Sequence, residues 1–201
     1  MRILPFVSSP NDAPRLDSER IYLRVPTIDD HKQWSTLRRD SIAFLRPWEP
    51  VWGEADLSRS AFRERLRQYN SDLNAGRALP YYLFRSQDHA LLGGVTLSNI
   101  RQGISRSCTL GYWMGEPFAG QGFMKEALCT LVPHVFDTLN LHRIEAASIP
   151  TNQRSMTLLE SCGFIKEGLA RKYLKINGQW QDHILYALLR DDPRPTRVHR
   201  A

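Results

Sequence analysis

Cysteine is scarce in this sequence, and long apolar runs are absent. The 201 residues contain three cysteines, Cys108, Cys129 and Cys162, whose spacing fits neither a disulfide framework nor a metal site. We therefore interpret them as small interior thiols and expect no bound metal. No apolar stretch approaches the roughly 20 residues that a membrane-spanning helix needs. The N-terminal segment is broken by Pro5 and does not resemble a signal peptide, so we expect a cytoplasmic protein with no membrane contact.

What is present has an ordinary globular composition. Hydrophobic residues make up 42% of the chain and charged residues 24%, which excludes disordered and low-complexity classes. The length suits one domain. We expect a single domain over residues 15–190, an N-terminal tail at 1–14 and a C-terminal tail at 191–201, which has two prolines and no apolar periodicity.

The net charge of +6 suits an anionic partner such as a polyphosphate cofactor, RNA or a ribosome. No block of basic residues is interleaved with aromatic ones. Direct, sequence-specific nucleic-acid binding is therefore not expected.

Hydrophobic periodicity switches repeatedly between strand-like and helical. The predicted order is β-α-α-β-β-β-α-β-α-β-β, an α/β fold with a mixed sheet in which the middle three strands form an antiparallel meander. Asn177-Gly178 predicts a C-terminal β-hairpin, and Pro133 predicts a kink or irregular turn within its helix. Strands are expected at 20–25, 81–85, 91–98, 108–114, 142–149, 166–176 and 179–188, helices after Thr27 and at 57–75, 122–139 and 152–161, and a proline-punctuated loop at 44–53.

A glycine-containing turn, Gly120-Gln121-Gly122-Phe123-Met124, lies between a predicted strand and a predicted helix. Glycines allow the backbone to turn tightly and to approach a ligand closely. The first N–H groups of a helix lack internal partners and carry positive partial charge, so this turn suits a pyrophosphate. A plain strand-to-helix turn remains the alternative, because the third glycine of a Rossmann fingerprint is missing.

Two further segments carry candidate side chains. Asn152 can cap the following helix through the N–H of Ser155, and both side chains can also face a ligand. Trp48 and Glu49 lie in a stiff loop flanked by two prolines, where a partly desolvated carboxylate can act as a general base on an amine. The alternatives are an ordinary capped helix and a surface loop with a solvated glutamate.

These segments, in this order, resemble the GNAT family of acetyl-CoA-dependent N-acetyltransferases over roughly residues 15–190. PFAGQG at 117–122 is similar to the family's phosphate loop Q/R-x-x-G-x-G/A, and Asn152-x-x-Ser155-x-x-Leu158 is similar to its later motif. The more specific runs are FLRPWEPV at 44–51 and NGQWQDH at 177–183. They are typical of the RimJ/RimL branch, nearer to RimJ, which acetylates the N-terminal residue of ribosomal proteins.

The resemblance implies acetyl-CoA as cosubstrate. The pantetheine arm is then expected along the strand Tyr112, Trp113 and Met114, with one backbone N–H facing the thioester carbonyl. The amides of residues 120–124 are expected to bind the pyrophosphate, and Asn152 to orient the arm.

The resemblance also implies an acceptor, the N-terminal amine of a protein, with alanine or serine as the first residue. Ser155 is expected to donate to the leaving sulfur. Glu49, with Trp48 beside it, is the candidate for the amine contact or general base. An N-terminal amine is partly neutral at cellular pH, so a weak base or a water relay can serve it.

Three positions depart from the family pattern. Pro117 stands where the phosphate loop usually begins with Gln or Arg. Leu159 takes the place of the tyrosine that serves many members as general acid, and Ala147 that of a glutamate used as base in some.

Two other functions stay open. Acetylation of a small amine such as a polyamine or aminoglycoside would favour a pocket with several carboxylates, and only Glu49, Glu54 and Asp56 lie close together. The second alternative is a non-catalytic acyl-CoA-binding factor that associates with the ribosome.

His142 and His183 are interpreted as structural. The sequence allows a monomer or a homodimer.

Overall fold

Eight strands form one mixed sheet in the computed structural model, which describes residues 13–194. They are β1 (Leu16–Asp17), β2 (Ile21–Arg24), β3 (Leu79–Arg85), β4 (Leu91–Arg101), β5 (Ser107–Met114), β6 (Arg143–Ser148), β7 (Ile165–Ile176) and β8 (Gln179–Leu189). Their spatial order is β1-β2-β3-β4-β5-β6-β8-β7. Neighbours are antiparallel except for β5 and β6, which are parallel.

Five α-helices accompany the sheet in the described part of the chain. They are α1 (His31–Asp40), α2 (Ile42–Leu45), α3 (Arg59–Asn74), α4 (Phe123–Pro133) and α5 (Gln153–Ser161). Short 3-10 turns occupy Ile28–Asp30, Arg46–Trp48, Glu54–Leu57 and Glu116–Phe118. No helix within residues 13–194 has both the length and the apolarity that crossing a bilayer requires.

The two faces of the sheet carry separate cores. On the face covered by α4 and α5, Leu128 and Leu159 pack in one cluster with apolar strand residues such as Ile144. On the opposite face, α1 and α3 contribute Trp34 and Phe62, whose rings lie 4.7 Å apart. Because side chains alternate along a strand, consecutive residues of one strand reach different layers.

The predicted α/β fold with a mixed sheet is confirmed, and every predicted helix and strand is present with ends that shift by a few residues. The expected meander is β3-β4-β5. The hairpin turn has positive φ at both Asn177 and Gly178, as a type I′ turn requires. At Pro133 the helix passes into a π-helical turn, His134–Thr138, so the predicted irregularity is confirmed.

Two details were wrong. The segment 44–53 was expected to be a loop throughout, but α2 and the 3-10 turn Arg46–Trp48 occupy its first half. The two-residue strand β1 was also not predicted, because two residues are too short to show a period. The predicted tails lie mostly at 1–12 and 195–201, outside the described residues, and the domain boundaries stay a prediction.

The sheet divides in its middle, between the two parallel strands. β5 and β6 are paired only from Ser107 with Arg143 to Leu110 with Ala146. Beyond that point β5 continues with β4 as far as Met114, while β6 continues with β8 as far as Ser148. The backbone edge of β5 after Leu110 has therefore lost its β6 partner, and a gap opens between the strands.

Candidate active site

A cavity of about 700 Å³ lies at this gap and reaches both faces of the sheet. We call its two halves the α4–α5 side and the α1–α3 side. The α4–α5 side is lined by Tyr112, Met114, residues 118–120 and 122–125, Asn152 and Ser155, and the α1–α3 side by Phe44, Leu45, Trp48, Glu49, Trp113, Leu174, Ile176 and His183.

The glycine turn forms one wall of the α4–α5 side. Gly120 and Gly122 have φ of +75° and +81°, in the left-handed region that favours glycine. Gly122 is the N-cap of α4 and has no side chain to satisfy the first N–H groups of that helix. Apart from its two chain neighbours, no described residue has a heavy atom within 4 Å of where a Cβ of Gly120 would stand. The turn therefore offers unsatisfied amides and open space, which together fit a pyrophosphate.

The start of α5 holds the second wall of this side. The Oδ1 atom of Asn152 accepts a hydrogen bond from the Ser155 N–H at 3.2 Å, as predicted for an N-cap. The Ser155 hydroxyl lies 2.8 Å from the Tyr112 hydroxyl. Burial raises the pKa of Tyr112 to about 12, against the opposing effect of the Ser155 hydrogen bond, so the phenol keeps its proton at neutral pH. It can donate to Ser155 and leave the serine proton free for another acceptor.

Glu49 on the α1–α3 side is not a solitary carboxylate. The guanidinium of Arg38 donates to both of its oxygens, at 2.8 and 2.6 Å, and the Trp52 indole N–H donates to one of them at 2.9 Å. The side chains of Arg38 and Glu49 are only 11% and 18% exposed. The Arg38 guanidinium also lies 5.0 Å from the centre of the Trp113 ring. Glu49 is thus half-buried, as expected, but its oxygens are occupied by donors.

The hairpin of β7 and β8 closes the α1–α3 side. The Asn177 N–H in its turn donates to the Glu49 carbonyl at 2.9 Å. Leu174, Ile176 and His183 share the face of the hairpin that lines the cavity. His183 is only 3% exposed. The sequence interpretation of His183 as structural stays a prediction, and the structure adds that the residue lines the cavity.

The structure brings most of the predicted site residues together. Trp48, Glu49, Tyr112, Trp113, Met114, Gly120, Gly122, Phe123, Met124, Asn152 and Ser155 all line the cavity. Gln121 does not, because its amide turns back and donates to the Pro117 carbonyl at 2.7 Å. This contact stabilises the loop in which Pro117 replaces the usual polar residue.

Sequence reasoning missed Arg38, Trp52 and the hydroxyl contact of Tyr112. Arg38 lies on the buried face of α1, where a charged residue without a visible partner gives no recognisable motif. Leu159, at the position of the usual tyrosine, is completely buried in the core. Ala147 lines the cavity and brings no carboxylate to it.

Comparison with known proteins gives consistent similarities. Residues 20–165 match the family model described as acetyltransferase (GNAT) domain. The chain is 37% identical over 185 residues to the [ribosomal protein uS5]-alanine N-acetyltransferase of Escherichia coli (strain K12), covering 91% of this chain and 94% of that protein.

Two solved structures are similar over nearly the whole chain. Mycobacterium smegmatis RimJ in complex with CoA-disulfide superposes with a TM-score of 0.84 at 30% identity, covering 88% of each chain. The ribosomal-protein-S5-alanine acetyltransferase of Vibrio fischeri superposes with a TM-score of 0.82 at 32% identity, covering 90% of this chain and 100% of that one.

Proposed function

The chain belongs to the acetyltransferase (GNAT) family and is an N-acetyltransferase, and from this premise we propose that it transfers the acetyl group of acetyl-CoA to the N-terminal α-amine of a ribosomal protein. The relative in Escherichia coli acts on the alanine of ribosomal protein uS5, which favours alanine over serine as the first residue here. The observation that carries the proposal is a cavity that joins two unlike compartments through a gap in the sheet.

The α4–α5 side suits acetyl-CoA. The unpaired edge of β5 after Leu110 presents backbone N–H and C=O groups to which the amides of a pantetheine arm can pair. The first-turn amides of α4 hold the pyrophosphate, and Lys125 in the same wall adds positive charge. We assign cofactor contacts to the backbone of Tyr112–Met114 and of the Gly120–Met124 turn.

The reaction is acyl transfer from a thioester to an amine. A backbone N–H of the β5 edge polarises the thioester carbonyl, as donors of an oxyanion hole do. Ser155 donates its hydroxyl proton to the sulfur as the C–S bond breaks, and it stands at a helix N-terminus that favours developing negative charge. The Tyr112 hydroxyl lies 2.8 Å from that of Ser155, and a proton donated by the phenol would fix the direction of the serine proton.

The α1–α3 side suits the N-terminus of a peptide better than a polyamine. Its wall is formed mainly by apolar and aromatic side chains, and Glu49 is the one carboxylate among the described residues that line the cavity. That carboxylate is already paired with Arg38. A polyamine carries several positive charges, and the described residues of this wall offer no unpaired carboxylate to them. A peptide with a small first residue brings only one ammonium group that must be desolvated. Such an acceptor places the enzyme in the cytoplasm with the ribosome.

Acetyl-CoA-dependent transfer to short peptides tests the proposal. Peptides with free N-terminal Ala or Ser are compared with N-blocked lysine peptides and with spermidine, and mass spectrometry locates the acetyl group. We expect acetylation of the α-amine, fastest with the uS5 sequence. Acetylation of spermidine alone would move the assignment to small amines. If no thiol were released with any of these acceptors, the proposed function would be contradicted.

Ser155→Ala tests the leaving-group role within the same assay. We expect kcat to fall roughly 100-fold, the size of one general-acid contribution, with unchanged binding of acetyl-CoA. Thr157→Ala, two residues further along the same helix and also in the cavity wall, is the matched control. An unchanged kcat for Ser155→Ala would refute the role.

A further inference from the structure

His183 lies on β8 at the α1–α3 side of the cavity, away from the glycine turn. Two later residues of the same strand, Ile184 and Tyr186, belong to the core beneath α4 and α5. Because successive side chains of a strand point to opposite faces, His183 faces the other layer. The ring is almost completely buried and forms part of the cavity wall. A buried, titratable side chain therefore stands in the compartment assigned to the acceptor amine.

The hydrogen bond of the ring defines which nitrogen carries the proton. Nδ1 lies 3.0 Å from the Gln181 carbonyl oxygen. A carbonyl can only accept, so Nδ1 is the donor, and in the neutral ring Nε2 is then an acceptor. The Gln181 carbonyl fixes His183 in the tautomer that a proton acceptor needs.

A bulge in β7 supports this position. Ala170 pairs with His183 and Leu174 pairs with Gln181, so three residues of β7 stand opposite one residue of β8. The middle one, Lys172, has φ of +48°, and its N–H donates to the Asp182 carboxylate at 2.8 Å. Bulges re-aim side chains beside functional sites. Here the bulge places the Tyr173 ring edge-on to His183, with the centres 5.7 Å apart.

From this geometry we infer that His183 Nε2 is the group that takes the proton from the acceptor amine. The inference rests on the proposed function and adds a catalytic residue to it. Glu49 is the competing base, but donation from Arg38 and Trp52 occupies both of its oxygens. No such donor is bound to Nε2 of His183 within the described residues.

The proton balance of the step is complete without another reactant. Nε2 takes one proton from the ammonium group, and the neutral nitrogen attacks the thioester carbon, forming the C–N bond. The C–S bond breaks with its electron pair on sulfur. The second proton passes from the nitrogen to Ser155 as Ser155 gives its own proton to the sulfur, and the first passes from His183 to solvent.

The charged and titratable groups around His183 are few. Tyr173 of β7 packs against the ring, and Asp182 precedes it in β8 with its carboxylate turned to the bulge. The remaining titratable side chains of the cavity wall are Glu49, Tyr112, Lys125 and Arg154.

The test compares two acceptors with two variants. His183→Gln and His183→Asn both remove the imidazole Nε2, and asparagine can keep a donor for the Gln181 carbonyl, which provides a second variant should the first not fold. The acceptors are an Ala-starting peptide and the same peptide with an N-terminal aminooxyacetyl group, which is already unprotonated at neutral pH. Acetyl-CoA binding and thermal unfolding show that each variant is folded.

We expect kcat with the Ala peptide to fall about 100-fold or more, the lower end of general-base effects, with the acidic limb of the pH–kcat profile moved to higher pH, where the peptide amine loses its proton without a base. With the aminooxyacetyl peptide the loss should shrink to a few-fold, because that nucleophile needs no prior deprotonation. His142→Gln, an exposed histidine at the other end of β6, should leave both rates unchanged.

Three results would overturn the inference. An equal loss with both peptides would mean a structural role, and an unchanged pH profile would mean that His183 takes no proton. An acidic limb that moves to higher pH in Glu49→Gln instead would return the base to Glu49. Wild-type enzyme that transfers nothing to either peptide would contradict the proposed function itself, and the inference with it.

Discussion

The two sides of the cavity differ in what builds them. The α4–α5 side consists mainly of backbone groups from short, contiguous segments: the edge of β5, the turn at Gly120–Gly122 and the first turn of α5. The α1–α3 side consists of side chains from distant segments, as in the contact of Arg38 with Glu49 and the position of His183 on the last strand. The difference suggests a fixed cofactor site beside an acceptor site that depends on side-chain pairing.

The largest expected effect is the loss of stability when the ion pair of the α1–α3 side is removed. Glu49→Gln leaves the mostly buried Arg38 guanidinium without its counter-charge. Removing one partner of a buried pair is strongly destabilising, so we expect the free energy of unfolding to fall by about 3 kcal/mol. Urea unfolding at constant m-value measures it.

Glu54→Gln is the matched control for that change. Glu54 pairs with Arg39, the neighbour of Arg38, but its side chain is 70% exposed. An exposed pair is screened by solvent and should contribute little. An equal loss of unfolding free energy in the two variants would show that the buried pair stabilises the protein no more than the exposed one. The α1–α3 side would then not depend on its buried ion pair.

The second prediction addresses the α4–α5 side. Gly122→Val forces a β-branched residue into φ near +81°, at a strain of about 1 to 3 kcal/mol. If the loop relaxes to relieve this strain, the first-turn amides of α4 move. We expect acetyl-CoA to bind on the order of 10- to 100-fold more weakly, with little change in the KM of the peptide, as measured by calorimetry and steady-state kinetics.

Gly103→Val separates strain from ligand contact. Gly103 has φ of +79° in the turn between β4 and β5 and does not line the cavity. The same substitution there should lower stability but leave acetyl-CoA affinity unchanged. A loss of affinity in both variants would mean that general destabilisation, not the local amides, controls binding.

The contrast also explains what the sequence could predict. The glycine turn and the Asn152 cap are local, since each is recognisable within a few residues and has a backbone purpose. The pairing of Arg38 with Glu49 requires knowing that the loop at 46–53 folds back on α1, and the wall position of His183 depends on the bulge in β7. Neither is encoded in a period or a motif. The order of the elements along the chain and the antiparallel meander were similarly accessible from hydrophobic periodicity and short turns, whereas the length over which β5 and β6 remain paired was not.

A third, smaller effect concerns Tyr112 at the boundary between the two sides. Tyr112→Phe removes one hydrogen bond to Ser155, worth about 0.5 to 1.5 kcal/mol, so kcat should fall a few-fold. Burial raises the pKa of Tyr112 to about 12, so the ratio of wild-type to variant rates should stay constant between pH 6 and 9. A ratio that changed in this range would mean that Tyr112 titrates during turnover.

The same pKa has a consequence for stability. Above pH 10 the unfolded chain loses the Tyr112 proton while the folded chain keeps it, so the contribution of this group to the free energy of unfolding is present below pH 10 and is lost as the pH rises towards 12.

Tyr81→Phe is the matched control for the effect of Tyr112→Phe on kcat. The Tyr81 hydroxyl is buried without a partner among the described residues, so its removal should leave kcat unchanged and should not lower stability.

The smallest expected effect is a gain. Lys172→Gly relieves the left-handed φ of the bulge while keeping the N–H that Asp182 accepts. The strain of a non-glycine residue there is about 1 to 2 kcal/mol, and the added chain entropy of glycine offsets about 0.5 to 1, so stability should rise by about 0.5 kcal/mol with kcat unchanged. Lys175→Gly, in the same strand with ordinary backbone geometry, should instead be destabilising. A loss of stability in both variants would show that the bulge is not strained. A lower kcat in Lys172→Gly would show that the lysine side chain, as well as the backbone bulge, is needed to hold the cavity wall around His183.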